Sequence, residues 1–229
     1  MTDSRFVHLR VHTEFSLVDG MVRIKPLMQA VSERGMDAVA VTDFCNLFAA
    51  LKTFQAALNA GVKPILGADL PCHDPDKPAD VTSVVLLCQN LEGYRNLTRL
   101  VSKAYLEGQH QGAPRIHYDW LTGDATDGLI ALSGACRGEV GQALLLEDDV
   151  KAHAIATRWA AQFPGRFYLE IQRTDRPDEA MYNEQVVKLA DALNLPLVAT
   201  NDVCFLDPFE FDAHEARVCI HEGYTLADK

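Results

Sequence analysis

An α/β fold with a mostly parallel sheet is what this sequence predicts, and three observations carry that prediction. Short β-branched runs recur along the chain, amphipathic helical segments fall between them, and polar residues follow several of the runs. The runs are residues 6–12, 37–42, 63–68, 82–88, 128–133, 167–172 and 196–200. In the first, Val7, Leu9 and Val11 alternate with His8, Arg10 and His12. A period of two puts two histidines and an arginine on one face of a strand. Residues 24–33 place Ile24, Leu27, Met28 and Val31 at a helical period and stop at Gly35. Residues 47–60 end the same way at Gly61, and 91–106 read as a helix ending near Gly108. Residues 150–163 read as a helix stopped by Pro164-Gly165, and 179–193 as one started by Pro177-Asp178. Alternating strand and helix implies right-handed crossovers, with the strands forming either a barrel or an open sheet. Segments 74–80, with Pro75 and Pro78, and 109–114 read as surface loops. No repeat or interdomain linker appears, so residues 1–229 are expected to form one domain.

Composition narrows the function. A chain of 229 residues that is 48% hydrophobic can bury a real core. A net charge of −11 with no Lys/Arg run argues against a duplex nucleic-acid surface, which needs clustered cations. It suits a chain that meets proteins or small ligands. Cys45, Cys72, Cys88, Cys136, Cys204 and Cys219 show no CxxC and no regular spacing, so they read as small core residues in a reducing cytosol. The opening Met-Thr-Asp-Ser-Arg lacks the layout of a signal peptide, and no apolar run is long enough to span a membrane.

Polar residues gather where strands end. His12 follows the first run and Asp19 lies in the loop after it; Asp43 follows AVAVT, Asp69 follows PILGA, and Asn201 and Asp202 follow LVAT. In parallel α/β folds these ends face one side, where sites form. Each acid alone is explained as a helix N-cap, but several acids with two histidines suit a hydrolytic metal centre, live or vestigial. Arg10 is the discordant residue. Imidazoles at i and i+2 would make a metal platform, whereas a guanidinium is always protonated and offers no lone pair. Weaker signals carry less. His214-Glu215 and His221-Glu222 do not make HExxH, because position 218 is Val, and they read as helix-surface residues. Gly134, Gly138 and Gly141 form no phosphate loop, and Trp120 and Trp159 read as packing residues.

FVHLRVHTEFSLVDG, DAVAVTDFCNLFAALKTFQAALNAGVKPILGADL, LIALSGACRGEVG, FYLEIQRTDRPDE and LPLVATNDVCFLDPFEFDAHEARVCIHEGYTLAD occur in that order. Together they resemble the polymerase and histidinol phosphatase (PHP) domain found at the head of bacterial replicative DNA polymerase alpha subunits. The resemblance implies a distorted seven-stranded barrel, (βα)7, of the PHP type. It also implies a rim that binds metal in active members. Carried onto this chain, the family's ligand positions keep His8, Asp19, Asp69 and Asp202. They are lost at Arg10, Phe44, Ser83, Ala135 and Cys204. The degenerate pocket would comprise His8, Arg10, His12, Asp19, Asp43, Asp69 and Asp202.

No catalytic residue, metal or other cofactor is therefore expected in this chain, with one exception left open: Cys204 as thiolate could hold a single zinc. Arg10 would take over the charge of the missing metal among Asp19, Asp69 and Asp202. The resemblance implies a structural, protein-docking role within a DNA-synthesising, nucleotidyl-transferring enzyme of the cytoplasm. The partners would be the polymerase domains of the same polypeptide, which hold their own Mg2+, and the proofreading exonuclease subunit. Direct nucleic-acid or membrane contact is not expected. Residues 207–229, ending Thr225-Leu226-Ala227-Asp228-Lys229, would lead toward the missing polymerase domains. The alternative is an active metal-dependent phosphoesterase, a pyrophosphatase or 3′–5′ exonuclease, which would need His at positions 10, 44 and 204.

Overall fold

The structure, a computed structural model, describes residues 6–228; the opening Met-Thr-Asp-Ser-Arg and Lys229 lie outside the described residues. The chain divides into two compact units, one running to Leu66 and resuming at Asp202, the other spanning Gly67–Asn201.

In the first unit, α1 (Ile24–Glu33) buries Ile24, Leu27, Met28 and Val31, the stripe its spacing predicts. It leads into β1 (Ala38–Val41), buried on both faces, and then α2 (Ala50–Ala60), which Gly61 closes in a left-handed conformation. β1 pairs in parallel with the opening residues of β2 (Lys63–Asp74), from Ala38 opposite Lys63 to Val41 opposite Leu66. The predicted first strand is not a ladder. Isolated parallel bridges take its place, His8 with Val39, Val11 with Val203 and, one residue beyond it, Thr13 with Val22. Three successive partners replace one neighbouring strand. Arg10, Val11 and His12 are therefore all buried, and the expected split into an inner and an outer face does not occur. Val11, Val22, Leu27, Met28, Val39 and Val41 form the core, with Phe15, Val203 and Leu206 packed against it.

The chain returns to this unit through a short 3-10 turn, Pro208–Glu210, and α7 (Phe211–Glu222). Gly20 closes the loop after Thr13: a Cβ there would lie 1.9 Å from the Thr13 carbonyl oxygen. Gly20→Ala must displace backbone, and chemical denaturation is expected to show a loss of about 1–3 kcal/mol.

In the second unit, β2 continues to Asp74 and turns into β3 (Lys77–Cys88). This corrects the predicted loop at 74–80. The pairing holds as far as Asp74 opposite Lys77, and Asp74 Oδ1 accepts the Asp76 amide at 2.9 Å across the tip. Pro75 and Pro78 suggested a loop, yet a proline at a hairpin tip or near a strand start is compatible with pairing. The sheet is mostly parallel, as predicted, and β3 is its exception. A tight hairpin forces β3 antiparallel to β2, and β3 is antiparallel to β7 (Leu129–Leu132) too. β8 (Phe167–Ile171) and β9 (Leu197–Ala199) then add in parallel, as does a short β6 (Ile116–His117) on β2. The predicted loop at 109–114 is itself a small hairpin of β4 (Gln109–His110) and β5 (Ala113–Pro114), with Gln111 and Gly112 at positive φ.

Three helices match their periodicity: α3 (Leu91–Leu106), α5 (Asp149–Gln162) and α6 (Glu179–Leu193). Asn90 caps α3 by accepting the Gly93 amide at 3.0 Å. A further helix, α4 (Glu139–Leu145), was not predicted, although Val140, Ala143 and Leu144 bury one face. Trp159 is a packing residue, as expected, stacked on both Phe163 and Phe167.

Candidate functional site: a buried charge cluster around position 10

The first unit gathers six of the expected side chains. Arg10 Nε lies 3.3 Å from Asp202 Oδ1, with the two side chains 1% and 3% exposed. His12 Nδ1 lies 2.9 Å from both carboxylate oxygens of Asp19, so that nitrogen carries the proton. The Ser16 hydroxyl also donates to Asp19, at 3.1 Å, and accepts the Phe44 amide. Asp43 accepts the Thr13 amide at 2.6 Å and the Thr13 hydroxyl at 2.8 Å. The load is thus divided: Arg10 meets Asp202, and His12 meets Asp19. His8 sits apart from these pairs, its ring edge-on to Phe6.

α7 secures the Asp19 loop from outside. His214 Nδ1 donates to the Asp19 carbonyl at 3.0 Å and Arg217 Nε to the Leu17 carbonyl at 3.3 Å. His214 is therefore half-buried and engaged, not the plain surface residue that its spacing suggests. The functional role of α7 in seating Asp19 was invisible in the sequence, because no local signal links positions 195 residues apart.

Burial and charge act oppositely within the cluster. Burial would raise the Asp19 carboxyl, but the hydrogen bond and charge of His12 outweigh it and hold Asp19 below its usual value. Burial raises Asp43 despite its two bonds from Thr13. Burial also raises the Cys204 thiol and, with Arg34, lowers His8. A carboxyl held low binds its proton more readily in the unfolded chain. Asp19 therefore contributes stability that is present above about pH 3.9 and is lost as the pH falls through its folded value. In paired urea titrations, Asp19→Asn is expected to start less stable and to lose less than the parent below that pH. Asp43 works in the opposite direction in both proteins, and less so in the variant, because the Asp19 charge is among the causes that raise it.

The second unit holds the other expected positions. The Ser83 hydroxyl donates to Asp69, and an Arg137 nitrogen lies 3.9 Å from the same carboxylate. Ala135 is buried at positive φ, with Cys136 beside it. Sequence reasoning missed Glu170, which is fully buried on β8 and accepts the Gly134 amide at 2.5 Å and the Thr200 hydroxyl at 2.8 Å. The available signal was a lone charge inside the apolar run FYLEI.

A polynuclear metal centre does not fit these side chains. Arg10 carries positive charge into the cluster, and Phe44 and Ala135 offer no donor atom. Among the described residues, one group of three ligand atoms converges, from His12, Asp202 and Cys204.

The sequence model for the PHP domain matches residues 8–174. The chain belongs to the PHP domain family. Curated relatives place this PHP domain more narrowly. It is 50% identical to DNA polymerase III subunit alpha of Pseudomonas fluorescens over 97% of its length, and 45% identical to that of Escherichia coli strain K12 over all of it. It spans about a fifth of those relatives, 19% and 20%, and matches their N-terminal region. Among solved structures, an amidohydrolase from Chromobacterium violaceum, described with bound sulfate and no metal, aligns over 92% of this chain and 96% of its own. The TM-score is 0.58 at 12% identity, a likeness of fold. The α/β class and PHP type expected from the sequence are those found. Among the described residues, no helix is long and apolar enough to cross a membrane.

Proposed function

We propose that this PHP domain is a non-catalytic scaffold and protein-docking element at the head of a DNA-synthesising polypeptide. The observation that carries the reading is the buried Arg10–Asp202 pair, where active relatives would place a metal ligand. Arg10 supplies fixed positive charge beside a buried carboxylate, whose own charge costs several kcal/mol to bury without compensation. It does so without the open coordination position that hydrolysis requires. The polymerase III alpha relatives support the wider setting: a cytoplasmic replicase whose Mg2+-dependent nucleotidyl transfer lies in other domains of the same polypeptide. The net charge of −11 suits protein partners, namely those domains and the proofreading exonuclease subunit, better than DNA.

The test is a phosphatase, pyrophosphatase and 3′–5′ exonuclease assay of the purified chain with added Mn2+. An Asp19→Asn/Asp202→Asn double variant serves as the control for contaminants. The same low turnover in both proteins is expected. Turnover in the parent that disappears in the variant would overturn the reading in favour of a phosphoesterase.

A further inference from the structure

We propose that His73 and His117 form a proton-operated latch in the second unit, one that releases β6 from β2 on mild acidification. The two residues are register partners on neighbouring parallel strands. Their rings meet edge-to-face with centroids 4.6 Å apart, and His117 in turn stacks on Trp120 at 4.4 Å. His73 is 5% exposed, and its Nδ1 is buried with no hydrogen-bond partner among the described residues. A second proton makes both imidazole nitrogens donors, and Nδ1 then has no acceptor to meet. A buried donor left unmatched, on a ring that has become a cation, opposes closure.

The surroundings favour the neutral ring. Burial, then the charges of His117, Arg115 and His110, hold His73 below its ordinary value. Arg115 directly precedes β6, and His110 lies on β4. From α3, Lys103 stands over the Trp120 ring at 4.2 Å, with Glu107 3.7 Å from its nitrogen. From β3, Lys77 lies opposite Asp74. Asp74 favours the charged form, but its Oδ1 already accepts the Asp76 amide at 2.9 Å.

Few bonds resist release. β6 has two residues, both in its ladder with β2. Beside it, the Arg115 amide donates to the Gly108 carbonyl at 3.1 Å, and the Tyr118 and Thr82 hydroxyls meet at 2.6 Å. Ile116 is fully buried and holds the strand in place while His73 is neutral. Opening returns His73 to water, where an ordinary histidine binds its proton near pH 6.5. The closed form binds that proton less readily. Closure is therefore most favourable above that pH and weakens as the pH falls below it. None of these residues belongs to the ligand positions carried over from the PHP resemblance, and the latch does not depend on the scaffold reading.

The experiment is amide hydrogen exchange of the purified chain by NMR at about pH 7.5 and about pH 5.5, with the His73 ring titrated alongside. The protection factors of the Arg115 and β6 amides are expected to fall by up to about tenfold between those values. That is the limit for an ordinary histidine in the open form and a neutral one in the closed form. At the lower pH these amides should exchange ahead of those of β7, because β6 opens locally. His73→Phe keeps a ring beside His117 and should abolish the fall. The ring titration and the parent's exchange need no variant to fold. A His73 that titrates at or above about pH 6.5, unchanged protection in the parent, β6 and β7 losing protection in step, or the same fall in a folded His73→Phe would each overturn the latch.

Discussion

Replacing Arg10 with alanine is expected to destabilise the chain by about 3–5 kcal/mol, the range for breaking a buried ion pair from one side. The loss comes mainly from what remains behind. Asp202 stays buried with its neighbouring cation gone, and its side chain is only 3% exposed. Arg10→Lys is expected to recover part of the loss. An ammonium restores charge, but its reach and donor geometry differ from those of the guanidinium. The sharper comparison is Arg10→Met combined with Asp202→Leu. Removing both charges eliminates the desolvation problem, so the double variant should lose less than Arg10→Ala alone. Guanidinium denaturation of the three variants checks this. An Arg10→Ala protein as stable as the parent would mean that the pair contributes nothing.

Trp159→Ala is expected to cost as much in the second unit, about 3–5 kcal/mol, with a melting temperature lower by about 6–20 °C. Trp159 is 3% exposed and parallel to two rings, with centroids 5.9 Å from both Phe163 and Phe167. Tyr118 meets it edge-on at 6.1 Å, and its indole nitrogen donates to Glu139 at 3.0 Å. Alanine would remove all four contacts and leave a cavity beside an otherwise well-packed aromatic column. Trp159→Phe keeps most of the packing and loses the hydrogen bond, while Glu139 retains its bond from Arg158. A loss of about 1–2 kcal/mol is expected there, measured by the same thermal and chemical unfolding.

The sequence was most legible where a single element explains its own pattern. The stripe Ile24, Leu27, Met28, Val31 is local and marks α1 at the bounds the structure shows. The same holds for α3 and α6, whose stops and starts are glycine and proline signals. Legibility failed where partners far apart in the chain decide. Residues 6–12 have strand periodicity, yet they pair in turn with Val39 and Val203, and the next residue, Thr13, with Val22. The reversal of β3 turned on Pro75 and Pro78, which describe a tight turn as readily as a loop. α4 lay hidden because it is only seven residues long and starts inside a glycine-rich stretch, GACRGEVG.

The candidate site divides along the same line. That Arg10 excludes a metal at its own position follows from guanidinium chemistry alone. Its pairing with Asp202 and the approach of Cys204 to His12 depend on contacts across nearly the whole chain, whereas the hold of His12 on Asp19 spans one seven-residue loop that carries no periodic signal.

The central claim is that Arg10 stands where active relatives keep part of a polynuclear hydrolytic centre. The most direct test is the metal content of the purified chain after saturation with Zn2+ or Mn2+ and exhaustive dialysis, measured by mass spectrometry. No more than one ion per chain is expected, and Arg10→Ala should not raise that number, because Phe44 and Ala135 still lack donor atoms. Two or more tightly held ions per chain in the parent protein would contradict the account.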